Sequence, residues 1–400
     1  MRTLGLLACL LAAWTSANAH AQLTAALEAE VVADDAAFFG GFGISVAMND
    51  AGTRAVGGVP GLVTGATSVG DTVGGVVFLA RGTGDWEVVD VAFGDTSRAG
   101  FAERVAMDAA GERVAVGAPS DGDGVVFVYR RDGDRWRIED TLEPRLSTRS
   151  MRFGADLDLD GTGDRVVVGS PSYDLGAIDG AGAAYVFTRS GTRWTEETRL
   201  DLGTAAQRGD GLGGSVTIDA DGRRLLIGAR ADRVTPTAAR TGTARVYVRA
   251  GSTWTEEALL QGVGLADGDL YGDSLALSDD GDRACVLAPR DVFGSVTVFG
   301  RSGTTWTRQT TLRASSGSSY DRIFIDGGGE RLAIRFINDE VQLRARSSAT
   351  TWTVEQTIRP ARTVSSLGTG LAFDATGSRM LLGDGGAASA RSSRDRKSVV

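Results

Sequence analysis

The chain is short of the residues that carry most acid–base and metal chemistry. Histidine occurs once, at His20, inside an N-terminal leader that export would remove. Its loss excludes a Ser-His-Asp or Cys-His site and histidine metal ligands. The two cysteines are Cys9 and Cys285. Cys9 falls in the same leader, so no internal disulfide remains, and Cys285, within Ala284-Cys285-Val286-Leu287, reads as a small core residue. Lysine is confined to Lys397, and the arginines are dispersed along a chain of formal charge −9. No basic stripe can displace counterions from a phosphate backbone, which argues against a nucleic-acid partner. Apolar runs long enough to span a bilayer are also missing.

Glycine is abundant, with 56 residues, and it is periodic. An arginine recurs at Arg54, Arg113, Arg165, Arg224, Arg283, Arg331 and Arg379, spaced by 48 to 59 residues. Two residues before each stands a glycine (Gly52, Gly111, Gly163, Gly222, Gly281, Gly329, Gly377), and five before stands Asn49, Asp108, Asp160, Asp219, Ser278, Asp326 or Asp374. A polar cap followed by a left-handed glycine closes a tight hairpin. A second glycine follows the arginine at Gly58, Gly117, Gly169, Gly228 and Gly383, with Leu287 and Arg335 as exceptions, and proline ends the strand at Pro60, Pro119, Pro171 and Pro289. Tryptophan marks one late position in successive copies: Trp86, Trp136, Trp194, Trp254, Trp306 and Trp352.

Each copy thus holds four short strands and two hairpins, and repeats of this length predict an all-β, seven-bladed β-propeller of four-stranded antiparallel blades. The residues resemble the FG-GAP repeat family, known best from the propellers of integrin alpha subunits. Phe42-Gly43, Phe153-Gly154, Leu212-Gly213 and Tyr271-Gly272 match the first half of its motif. Gly117-Ala118-Pro119 and Gly169-Ser170-Pro171 match the second. The resemblance implies an extracellular binding or adhesion propeller.

Residues 1–21 read as a secretory signal: Arg2, an apolar run from Leu4 to Ala13, and Ala19-His20-Ala21 before Gln22. The destination is then the periplasm, the cell surface or the medium. Residues 22–391 form the propeller, with Leu23 to Glu30 expected to close the last blade as its outer strand. Residues 392–400 are suspect, because Asp395-Arg396-Lys397-Ser398-Val399-Val400 resembles the translation of a sequencing adapter. A gene truncated within the last blade is the expectation.

Integrin-like repeats bind calcium in the first hairpin, and Asp156-Leu157-Asp158-Leu159-Asp160-Gly161-Thr162-Gly163-Asp164 has oxygen-rich spacing. The arginine that ends that hairpin in all seven copies would face the metal, so no metal and no cofactor are expected. The arginines read as structural, each pairing with a turn aspartate or an adjoining blade. The tryptophans read as packing residues.

The connections from the second to the third strand vary: Gly61 to Gly75, Ser172 to Gly182, Ala231 to Gly242, but only Arg290 to Gly294. Variable loops on a rigid scaffold carry recognition. The candidate partner-binding residues are therefore Asp71, Tyr173, Asp174, Asp179, Asp232, Arg233 and Arg240, facing a protein or carbohydrate at a surface. No catalytic residue is assigned, and the chain is expected to act as a monomer. Two readings stand beside the binding module: a carbohydrate-processing propeller with paired carboxylates, and a structural surface protein or the propeller part of a longer chain.

Overall fold

The computed structural model describes residues 9–13, 26–31, 43–63, 72–82, 86–94, 100–235, 237–314, 318–359 and 367–384. In blade one, Val46–Met48, Arg54–Val63, Thr72–Arg81 and Trp86–Phe93 hydrogen-bond in chain order. Blades two to six repeat this meander at 104–142, 156–200, 212–260, 274–313 and 320–358. The expectation of seven blades is corrected: the described residues form six blades of four consecutive antiparallel strands, not seven. Among the described residues the seventh copy supplies Leu367–Phe373 and Arg379–Asp384.

Those two strands enter a composite sheet with Cys9–Ala13 next to Arg379–Asp384 and Ala26–Val31 outermost. Cys9–Ala13 belongs to the segment read as an export signal, so cleavage after Ala21 and this pairing are mutually exclusive. The composite sheet stands between blade six and blade one. Leu371, Met380 and Leu382 pack against Ala333, Val341 and Leu343 of blade six, and Leu381 packs with Val46, Ala55 and Leu79 of blade one.

Apolar cores lie between sheets rather than within them, as they must when a single sheet has two apolar faces to cover. Phe153 is fully buried among Val126 and Val128 of blade two and Val166, Val168 and Tyr185 of its own blade. Its ring meets Tyr185 edge-on at 5.4 Å. Cys285 is likewise fully buried, and burial pushes its thiol up to about 12.

The two glycine motifs explain each other. A Cβ on Gly58, Gly169 or Gly228 would run into the carbonyl oxygen of Ala102, Gly213 or Gly272, the second residue of the Phe-Gly pair (Phe-Ala in blade two) in the following blade. Leu287, the exception in blade five, precedes blade six, whose first strand opens on Tyr320-Asp321 without a Phe-Gly. At this junction a full leucine side chain fits and is completely buried.

The turn caps are buried and work as expected of their chemistry. Asp160 Oδ1 accepts the amides of Asp164 at 2.9 Å and Arg165 at 3.1 Å, and Gly163 closes the turn at φ 66°. Next to each cap, backbone amides join the first hairpins into a belt: Asp50 donates to Ala109 (3.1 Å), Ala109 to Gly161 (3.3 Å), Gly161 to Ala220 (3.0 Å), Ala220 to Asp279 (3.0 Å) and Asp279 to Gly327 (3.0 Å). Ala375 of the composite sheet donates to Asp50 at 3.2 Å.

The outer strand of every blade carries a β-bulge three residues after the tryptophan, at Val89, Glu139, Glu197, Glu257, Gln309 and Glu355, where the register skips one residue. A bulge re-aims its side chain. Glu139, Glu197, Glu257 and Glu355 turn back to the repeated arginine of the same blade: Arg113 at 3.2 Å, Arg165 at 3.2 Å, Arg224 at 3.1 Å and Arg331 at 3.3 Å. Glu139 and Glu257 also accept the indole N–H of the next blade's tryptophan, Trp194 at 3.2 Å and Trp306 at 3.0 Å. Arg54, Arg283 and Arg331 reach forward to the next hairpin, at the carbonyls of Ala110, Gly329 and Gly377. Arg379 lies 3.9 Å from Asp374.

Candidate functional site: the central channel

The innermost strands present two residues each to the axis of the ring, four and two positions before the turn cap. In chain order the first set reads Ser45, Arg104, Asp156, Ser215, Ser274, Arg322 and Gly370; the second reads Ala47, Ala106, Asp158, Thr217, Ala276, Phe324 and Ala372. All of them but Ala276 line a cavity of about 290 Å³. The first set lies at the end where the chain passes from blade to blade and from second to third strand. The belt of hairpins, with Asp50 and Asp279, lies at the opposite end.

Several of these side chains stitch neighbouring blades. Ser45 Oγ accepts the amide of Val105 at 3.0 Å, and Ser274 Oγ that of Ile323 at 3.2 Å. Asp156 accepts the amide of Val216 at 2.9 Å and faces Arg104 Nε at 3.3 Å. Asp158 accepts the Thr217 hydroxyl at 2.8 Å and the amides of Ile218 at 3.0 Å and Leu159 at 2.9 Å. Two carboxylates therefore converge in one cavity, but both are spent on holding blade four and Arg104.

Burial raises the Asp158 carboxyl to about 7, against the pull of its hydrogen bonds from Ile218, Thr217 and Leu159, with Asp156 adding to the rise. Asp279, at the far end, is raised to about 6 by burial and then by Asp50, Asp326, Asp280 and Asp219. Asp210 is raised to about 6, first by burial. Between the ordinary carboxyl value and these values the folded chain holds protons that the unfolded chain has released. Stability is therefore expected to rise as pH falls from about 8 to about 5, and Asp158→Asn should remove the part of the slope nearest neutrality. Urea unfolding across that range measures it, and a midpoint that falls steadily from pH 8 to 6 would refute it.

Arg322 differs from every other guanidinium near the axis. Among the described residues it has no hydrogen bond and no ion pair. Burial lowers its pKa first, and Arg104 lowers it further, while Asp321, Asp156 and Asp273 oppose the shift. Each of those carboxylates is engaged elsewhere: Asp321 by Arg335, Asp156 by Arg104, and Asp273 by Arg230 at 3.1 Å.

The loop residues singled out from sequence lie around the same end of the channel and are largely taken up in building the loops. Tyr173 is buried beneath Arg199, whose Nη1 donates to its hydroxyl at 2.7 Å. Asp174 accepts the amide of Gly180 at 2.7 Å. Asp232 is buried between the Thr243 hydroxyl at 2.7 Å and Arg245 at 2.9 Å. Arg240 Nη2 caps the Gly209 carbonyl at 3.2 Å, Arg233 lies in electrostatic reach of Asp210, and the exposed Asp179 pairs with Arg208 at 3.2 Å. Asp71 lies outside the described residues. In blade one the connection is partly strand, because Arg54–Val63 and Thr72–Arg81 extend into it.

The oxygen-rich run from Asp156 to Asp164 does not converge on one point. Asp156 and Asp158 face the axis, Asp160 caps its turn, and Asp164 pairs with Arg189. The channel set was missed from sequence because its members sit in columns of the repeat alignment filled elsewhere by serine or alanine. The column itself, read for departures, would have shown Arg104, Asp156 and Arg322.

Comparison with solved structures returns propellers. The β-propeller domain of Cps50 (Swd1) from Myceliophteria thermophila is 11% identical with TM-score 0.57, covering 86% of this chain and 97% of that one. A candidate 6-phosphogluconolactonase from Bacteroides fragilis is 12% identical with TM-score 0.59, covering 88% and 95%. Another from Bacteroides uniformis is 11% identical with TM-score 0.57, covering 88% and 96%. At such identities the likeness is one of fold. No family model matches the chain, and no curated protein does.

Proposed function

We propose that this chain is a non-catalytic binding module of the exported FG-GAP kind, docking a protein or carbohydrate on the face that carries the second-to-third-strand loops and the blade-to-blade connections. One asymmetry supports the reading. Among the described residues, the large apolar side chains left exposed are Leu146, Val234, Val263, Val292, Phe293 and Ile337 on this face, and Val88, Phe93, Ile138 and Val354 on outer strands. None sits on the hairpin face. Single exposed apolar residues are common, but their concentration on one side of a ring is the signature of a contact surface.

The loops beneath this surface are braced against each other. Gly209 donates to the Asp179 carbonyl at 2.9 Å, Gly211 to Gly180 at 3.1 Å, and Gly268 to Arg240 at 3.0 Å. Such bracing limits the entropy lost on docking.

The test immobilises the chain on a sensor and passes a panel of polysaccharides and extracellular proteins over it. The triple change Val292→Ser, Phe293→Ser and Ile337→Ser is expected to weaken the retained partner by about tenfold or more. The change Ile138→Ser with Val354→Ser should leave it bound. The reverse pattern would move the contact surface to the outer strands and end this reading.

A further inference from the structure

We infer that the channel mouth is a binding site for a small hydroxylated carboxylic acid, a monoanion about the size of one sugar acid, held between Arg104 and Arg322. This goes beyond the docking face and can fail without it. The first observation is Arg322, half-buried on the channel wall without a counter-charge of its own, since the three carboxylates in its reach are bound to other arginines. An incoming carboxylate supplies the missing partner in the bidentate geometry a guanidinium prefers.

The second observation is the opposite wall. Arg104 and Arg322 belong to blades two and six and look across the axis at each other. Arg104 is balanced by Asp156, so with Asp158 protonated the cavity carries one positive charge in excess, on Arg322. One excess charge suits a monoanion. A phosphate dianion would bring its second charge against Asp156 and Asp158.

The third observation is the hydroxyl lining. Ser45 and Ser274 use their oxygens as acceptors toward Val105 and Ile323, which leaves each O–H free to donate inward. Ser215 lines the same level of the wall. These donors suit ligand hydroxyls and ring oxygens. A volume of about 290 Å³ is close to the roughly 300 Å³ lower bound of small-molecule pockets, which limits the guest to a single small unit.

Isothermal titration of the full chain with sodium D-glucuronate at low ionic strength tests the site, with glucose, acetate and inorganic phosphate as parallel probes. Glucuronate should bind at one site per chain, glucose not at all, and acetate and phosphate about tenfold more weakly or worse. Arg322→Met and Arg322→Gln should each weaken glucuronate about tenfold or more while the ligand-free melting temperature holds or rises, because an unpaired cation has been removed. Arg322→Lys should retain part of the affinity. Equal binding by wild type and the Arg322 variants, tighter binding of phosphate, or no binding of any monoanion overturns the inference. Loss of folding in both neutral variants overturns it as well, by making the guanidinium structural. The Val292, Phe293 and Ile337 variant should titrate like wild type, which separates this site from the docking face.

Discussion

Gly169→Ala is expected to destabilise the propeller by roughly 3 kcal/mol, a large cost for one methyl group. The added carbon would enter the space of the Gly213 carbonyl oxygen, and that oxygen is backbone, fixed by its own blade. Gly328→Ala is the control, since its nearest neighbour is Glu330 Cγ at 3.9 Å and its φ is not positive. It should leave stability unchanged or slightly raised. At the aligned place in blade five the demand reverses: Leu287 is fully buried, and Leu287→Ala should cost about 3 kcal/mol through the cavity it leaves. Denaturant unfolding of the three variants measures all of this. A Gly169→Ala protein as stable as Gly328→Ala would show that the blades can separate at this contact without loss.

Glu257→Ala is expected to cost about 3 kcal/mol, because it strands a buried charge. The Glu257 side chain is 5% exposed and that of Arg224 14%. Arg224 Nε and Nη2 bind both carboxylate oxygens, at 3.1 and 3.3 Å, while Trp306 binds one of them from the next blade. Replacing the pair together, Glu257→Leu with Arg224→Met, should recover most of the loss, since no unpaired ion then remains. Burial alone would raise the Glu257 carboxyl, but the Arg224 and Trp306 hydrogen bonds outweigh it and hold it below its ordinary value of 4.5. A depressed carboxyl contributes stability that is full above the unfolded value and lost as pH falls through the folded one. The penalty of Glu257→Ala should therefore shrink below about pH 4, opposite in sign to the effect of Asp158. Trp306 emission should change in the single variant, and an unaltered spectrum with an unaltered unfolding midpoint would remove Glu257 from the blade junction.

Much of the scaffold could be read from residue order, because tight turns leave local signatures: a polar cap, a left-handed glycine and an arginine at fixed offsets suffice to count hairpins. The blade total was overcounted because the same hairpin appears in Leu367–Phe373 and Arg379–Asp384, and a hairpin alone does not reveal whether two further strands follow it in the chain. The glutamate three residues after four of the tryptophans escaped notice for a different reason. A bulge breaks the two-residue period of a strand, so Glu257 reads as one more outward polar residue in Thr255-Glu256-Glu257. The channel arginines were hidden by symmetry: a column of serine and alanine looks like packing until two of its members carry charge. Tyr173 and Asp232 show the converse, since loop position suggested exposure while their partners lay within the same loops.

The belt of amides around the first hairpins has a sense of rotation. Every one of its bonds, from Asp50 to Ala109 on to Asp279 and Gly327, and from Ala375 to Asp50, points from one sheet to its successor. The peptide groups along it follow one another from blade to blade, and their components in the plane of the ring oppose each other from one side to the other, unlike the stacked dipoles of a helix. The side chains along the axis divide by sign, with Arg104 and Arg322 beside Asp156 at one end and Asp50 and Asp279 at the other. Because the belt is built of backbone, substitutions at those four positions change the charge of either end and leave its hydrogen bonds in place.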